Sequence, residues 1–149
     1  MSPLLPITRV KRAQMIDAGQ AEDEVDALIQ AIEDTALAMN DRLIAEAAGR
    51  PTIHVVDLAT AVADQEASGV AAGSETLFFT RFGGLLTLDG VHFSDTGYGL
   101  VAEQFALAIN DALGVDLPLP DLGAIHAQDP WSTEALVDGG LDVSLCEEP

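Results

Sequence analysis

The chain has 149 residues, of which 25 are acidic and six are basic, so its formal net charge is −19. This charge argues against binding to nucleic acid or to an anionic membrane surface. It suits a chain kept in solution at high salt, where ions screen self-repulsion. The length fits one domain, and 48% hydrophobic residues exclude general disorder. No apolar run approaches the roughly 18 residues of a membrane span.

The N-terminal part is predicted to contain a long helix followed by one strand. At the N-terminus, no charged region leads into a long apolar stretch, so we expect no secretory signal. Localisation stays open. Residues 21–48 carry apolar side chains every three or four positions, which predicts an amphipathic helix that ends at Gly49. Residues 52–58 are apolar and β-branched, which is typical of a buried parallel strand. A short helix over 59–67 and a glycine-rich loop over 69–84 should follow.

The C-terminal part is predicted to hold a second amphipathic helix and then an acidic tail. The helix should run over 95–113, with Ser94 as its N-cap and Gly114 as its end. Residues 115–149 contain eight acids, four of the seven prolines and no Lys or Arg. We therefore expect a domain over 1–114 and a solvated, mostly irregular tail over 115–149, with a short turn of helix near 132–137. The single cysteine, Cys146, excludes an intrachain disulfide and a cysteine-based zinc site.

The most specific string in the chain runs from Asp89 to Tyr98 and begins Asp-Gly-Val-His. A histidine that acts as a base needs a partner that fixes its tautomer and stabilises its protonated ring. An aspartate three residues earlier, on a loop that contains glycine, can reach Nδ1 of His92. Nε2 then faces a nucleophile, and a base held in this way contributes about 10²–10⁴-fold to a rate.

This string resembles the last motif of the SGNH (GDSL-type) hydrolases, a family of esterases and lipases. That motif is Asp-x-x-His followed by Pro, a small hydroxyl residue and Gly; Asp89, His92, Ser94 and Gly97 match, and Phe93 replaces the Pro. The resemblance implies an α/β fold, a partial, helix-dominated form of the flavodoxin-like three-layer SGNH arrangement. It also implies that His92 is the catalytic base and that Asp89 orients it.

The nucleophile that the resemblance implies is missing, because the chain has no Gly-Asp-Ser motif. Ser94 and Ser74 are candidate replacements. The N-cap role is favoured for Ser94, and Ser74 lies in a loop without the Gly-x-Ser-x-Gly setting of a nucleophile elbow. A metal site built from His54, His92, His126 and carboxylates fits no familiar ligand spacing, so we expect no metal. No cofactor is implied.

The leading functional hypothesis is hydrolysis of small carboxylic esters with short acyl chains or aryl groups. The alternative is a non-catalytic fragment or assembly module, such as half of a split SGNH hydrolase, and the missing nucleophile favours it. A single predicted strand has unpaired edges, and two amphipathic helices need a surface to cover. We therefore expect the chain to form a homo-oligomer.

Overall fold

A computed structural model describes residues 6–66 and 68–142, in which helices dominate and one small sheet occurs. The chain divides into two compact units, Met1–Asp57 and Leu58–Pro149. Ser144 and Cys146 lie outside the described residues. The elements in chain order are α1 (Pro6–Asp17), α2 (Glu22–Ala48), α3 (Leu58–Glu66), β1 (Val70–Ala72), β2 (Glu75–Leu77), α4 (Asp95–Leu113), α5 (Leu122–His126) and α6 (Thr133–Asp138).

The first unit is a pair of helices, α1 and α2, that contact each other. Val25 and Ile29 on α2 are buried, and the hydroxyl of Thr8 donates to the buried carboxylate of Glu33 at 2.8 Å. The predicted long helix is confirmed, and it ends at Gly49 as expected. Much of its apolar stripe nevertheless faces outward within the described residues. The exposed members are Leu28, Ile32, Met39 and Leu43.

The strand predicted over 52–58 is not formed. Residues 53–57 have no regular structure, and Ile53 and Val55 are exposed. A strand needs a neighbour for its backbone N–H and C=O groups, and within the described residues this segment has no such partner. The prediction was wrong because it used only the local composition. An apolar, β-branched segment is suited to a sheet, but it forms a strand only if neighbouring strands are present to pair with it.

The second unit begins with a β-hairpin inside the segment that we expected to be a loop. Strands β1 and β2 are antiparallel, and Val70 pairs with Leu77. Gly73 begins the two-residue turn with a φ of +65°, a conformation that glycine adopts without strain. The hairpin places apolar side chains in a core with α4 and α5. The buried members are Val70, Ala72, Leu77, Phe79, Leu85, Leu100 and Leu122.

Helix α4 follows the predicted boundaries, and both of its ends have recognisable caps. Ser94 accepts the backbone N–H of Gly97 at 3.2 Å, which confirms the N-cap. Gly114 ends the helix in the left-handed conformation at φ +63°. No helix of the described residues is both long enough and apolar enough to cross a membrane.

Residues 115–142 lie within the second unit and do not form a separate solvated tail. Leu122 joins the hydrophobic core, while His126, Asp129 and Ser132 are buried polar residues. The short helix predicted near 132–137 is present as α6, and α5 is an additional helix. The coarse prediction of a helix-dominated α/β chain is confirmed.

Candidate functional site

The Asp-Gly-Val-His string lies in a tight loop that precedes α4. Leu86 and Phe93 form an isolated antiparallel bridge at the base of this loop, and the backbone N–H of Thr87 donates to the carbonyl of His92 at 2.8 Å. Gly90 turns the chain at φ +68°, where a residue with Cβ would be strained. The bridge and the turn together bring the side chains of residues 89 and 92 to the same side of the loop.

Asp89 and His92 form the pair that the sequence predicted. Oδ2 of Asp89 lies 2.6 Å from Nδ1 of His92. Oδ1 accepts the hydroxyl of Thr87 at 2.8 Å, the backbone N–H of Val91 at 2.9 Å and that of His92 at 3.0 Å. The last two bonds are typical of an aspartate that caps its own turn. Both carboxylate oxygens are therefore held, and the loop backbone fixes the carboxylate against the ring.

This arrangement sets the protonation of the pair. The ring of His92, the two backbone N–H groups and the Thr87 hydroxyl all stabilise the anion, and they hold the pKa of Asp89 well below its usual range. An ionised carboxylate can only accept a hydrogen bond, so Nδ1 of the neutral imidazole carries the proton. Nε2 is then an acceptor on the far side of the ring, and the His92 side chain is 69% exposed.

No serine among the described residues is hydrogen-bonded to His92. Ser94 is fully buried, and its hydroxyl donates to the carbonyl of Gly84 at 3.3 Å while it caps α4. Ser74 lies in the β1–β2 turn, on a cavity that it shares with His126. Ser132 caps α6. The structure thus gives Ser94 and Ser132 capping roles and brings neither of them, nor Ser74, into contact with His92.

Aromatic side chains hold the loop against the second unit. Phe93 meets Phe79 and Tyr98 edge to face, with ring centroids 6.5 and 5.7 Å apart. Phe79 is buried and belongs to the hydrophobic core, so its ring anchors this part of the chain there. Phe93, at the position of the usual proline, therefore has a packing role here.

A second polar cluster, which the sequence interpretation missed, lies at the start of α4. The hydroxyl and the backbone N–H of Thr96 both donate to Oδ2 of Asp129, at 2.6 and 2.7 Å. Oδ1 of Asp129 accepts the backbone N–H of Trp131 at 2.9 Å, and Nδ1 of His126 lies 3.3 Å from the Thr96 hydroxyl. These residues are far apart in sequence, and their spacing matches no motif. The one local hint in the sequence was the Asp129-Pro130 pair, which is typical of a turn whose aspartate accepts a nearby backbone N–H. The described residues contain no cluster of metal-binding side chains.

Comparison with protein-family models, curated proteins and solved structures finds no match to this chain. The resemblance of the Asp89–Tyr98 string to SGNH hydrolases therefore depends on the motif itself. The described residues contain two polar arrangements outside the hydrophobic core: the exposed Asp89–His92 pair and the buried cluster around Asp129.

Proposed function

We propose that the Asp89–His92 pair is the acid–base half of a serine esterase site that hydrolyses small carboxylic esters. The observation that carries this proposal is the 2.6 Å contact between Nδ1 of His92 and a carboxylate that three further donors hold in place. A structural aspartate needs no imidazole partner, and a surface histidine needs no fixed tautomer. In this pair the aspartate has an imidazole partner and the histidine has its Nδ1 tautomer fixed, while the His92 side chain is 69% exposed.

In the proposed reaction, Nε2 of His92 removes the proton of a serine hydroxyl as the serine oxygen attacks the ester carbonyl. Asp89 stabilises the imidazolium that forms, and the ring then gives the proton to the departing alcohol. His92 then acts as the base for a water molecule, which attacks the acyl-serine. This second step releases the carboxylic acid and restores the serine. No cofactor takes part in these steps.

The proposal requires a serine opposite Nε2, and the described residues do not provide one in contact. The 69% exposure of the His92 side chain leaves room for a hydroxyl from another segment or another chain. Exposed apolar side chains on α4, such as Phe105 and Leu113, are consistent with the homo-oligomer that we predict. Sedimentation velocity over a range of concentrations tests this point, and a well-folded monomer at every concentration would contradict it.

A fluorophosphonate probe tests for the nucleophile directly, since it labels only an activated serine. We expect covalent labelling of the full chain, and peptide mass spectrometry then identifies the modified serine. The matched variants are His92→Ala, which should lose labelling, and His54→Ala, which should retain it. Labelling that persists in His92→Ala would show that the pair activates no serine.

A non-catalytic role is the second candidate, and one observation favours it. Within the described residues, no hydroxyl binds Nε2 of His92, so the pair stands without the group that it would activate. In this case the chain would be a fragment or assembly module that retains an ancestral loop. Absence of both fluorophosphonate labelling and ester hydrolysis, in a chain with a cooperative unfolding transition, would support this role over the esterase.

A further inference from the structure

Oδ1 of Asp89 accepts three hydrogen bonds from the described residues, and one of them differs in kind from the other two. The backbone N–H groups of Val91 and His92 donate at 2.9 and 3.0 Å, and they are present whatever side chains these positions carry, proline excepted. The third donor is the side-chain hydroxyl of Thr87, at 2.8 Å. The hydroxyl is therefore the donor to Oδ1 that depends on which residue the sequence places there.

Thr87 reaches the carboxylate from the opposite arm of the loop. The Leu86–Phe93 bridge closes the base of the loop, so Thr87 lies on the arm that enters it, whereas the two N–H donors lie on the arm that leaves it. The backbone of Thr87 is itself fixed, because its N–H donates to the carbonyl of His92 at 2.8 Å and its carbonyl accepts the N–H of Gly90 at 3.0 Å. The hydroxyl thus has a rigid support, and the carboxylate is held from two sides.

This hold decides which carboxylate oxygen meets the imidazole ring. The terminal torsion of an aspartate is broad, so an unrestrained carboxylate turns easily about its Cβ–Cγ bond. With three donors on Oδ1, the other oxygen, Oδ2, faces Nδ1 of His92 at 2.6 Å. A fixed acceptor at Nδ1 determines the tautomer of the neutral ring. Without the hydroxyl, the carboxylate can turn, and the ring can exchange between its two tautomers.

We propose that Thr87 is the positioning residue of the Asp89–His92 pair: its hydroxyl fixes the carboxylate so that the neutral ring carries its proton on Nδ1. The catalytic value of this role rests on the proposed function, because a base that activates a serine needs Nε2 without a proton. Thr87 acts through Asp89 and transfers no proton itself. A threonine that only stabilised the loop would change the melting temperature when replaced, but it would leave the tautomer of His92 unchanged.

Nitrogen-15 NMR of the imidazole rings in the full chain tests the proposal without any need for activity. At about pH 9 a histidine ring is neutral, and the two ring nitrogens give separate signals for the protonated and the unprotonated atom. The signals of His92 are those that disappear in His92→Gln. We expect a proton on Nδ1 in the parent, and signals averaged between the two tautomers in Thr87→Val and Thr87→Ala. Thr87→Ser keeps the hydroxyl and should keep the parent signals.

A matched control and a kinetic measurement complete the test. Thr35→Val removes a hydroxyl that donates to the carbonyl of Ala31 at 2.7 Å on α2, and it should leave the His92 signals as they are in the parent. In ester hydrolysis, Thr87→Val should lower kcat about tenfold with KM unchanged, the loss expected for one hydrogen bond to a charged group, and Thr87→Ser should restore it.

Two outcomes separate this inference from the proposed function. Parent-like His92 signals in both Thr87→Val and Thr87→Ala would overturn the positioning role, whatever the activity. A parent that hydrolyses no ester, with the tautomer of His92 lost in both variants and kept in Thr87→Ser, would contradict the esterase and still support the role of Thr87.

Discussion

The hydroxyl and the backbone N–H of Thr96 both bind one carboxylate oxygen of Asp129, which lies 33 residues later in the chain. Burial alone would raise the pKa of Asp129, but these two bonds and the N–H of Trp131 outweigh it, and the net pKa is lowered. Thr96 is in the first turn of α4, where backbone N–H groups lack helical partners. Asp129 therefore connects the C-terminal segment to the helix that follows the candidate site.

Replacement of Asp129 by Ala should destabilise the second unit substantially. The change leaves the buried backbone N–H of Thr96 without an acceptor, and the loss of hydrogen bonds to a charged group costs about 1.5–3 kcal/mol. Urea unfolding followed by the fluorescence of Trp131, the single tryptophan, measures this loss. Asp111→Ala, an exposed acid on α4, is the control and should change the free energy of unfolding by less than about 0.5 kcal/mol. Equal effects in both variants would refute the assigned role of Asp129.

Replacement of Gly97 by Ala should also destabilise the second unit, because α4 lies directly against the loop there. A Cβ at residue 97 would be 2.3 Å from the carbonyl oxygen of Leu85 and 2.9 Å from Cβ of Phe93. Relief of this overlap must shift backbone, at a cost of about 1–3 kcal/mol. Gly49→Ala has open space and an ordinary φ of −85°, so a far-UV circular dichroism melt should show little change. A melting temperature for Gly97→Ala equal to the parent would contradict this packing.

The sequence predicted those features that local residues determine. Helix α4, its Ser94 cap, its Gly114 end and the Asp89–His92 contact all depend on residues close together in the chain, and all are present. Features that depend on distant partners were missed. The strand predicted over 52–58 is not formed, because that segment lacks a neighbouring strand. Residues 115–142 are held by Thr96 and by the hydrophobic core, and the local sequence pattern does not reveal either contact.

The lowered pKa of Asp89 predicts how its contribution to stability changes with pH. The unfolded carboxyl takes up its proton near its ordinary pKa of about 3.9, whereas the folded one does so only at lower pH. The contribution is therefore fully present above that ordinary value and decreases as the pH falls below it. The difference in unfolding free energy between the parent and Asp89→Asn should be larger at about pH 5 than at about pH 3. Because the group is exposed, the effect should be small, and a difference that does not change with pH would count against the assignment.

The net charge of −19 predicts that salt stabilises the folded chain. Like charges repel more strongly in the compact state, and the Debye length falls from about 10 Å at 0.1 M salt to about 3 Å at 1 M. The melting temperature should therefore rise between those two concentrations of NaCl. KCl should act alike, since screening depends on ionic strength, and a flat salt dependence would refute this explanation.

The most direct test of the central claim is hydrolysis of a nitrophenyl ester by the full chain and its His92→Ala variant. If Asp89 and His92 form a catalytic pair, the loss of the base should lower kcat/KM by about 10²–10⁴-fold, while His54→Ala, an exposed histidine of the first unit, should match the parent. Circular dichroism spectra of all three proteins should coincide, because the His92 side chain is 69% exposed. Ester hydrolysis that His92→Ala leaves unchanged would contradict the proposed role of the pair.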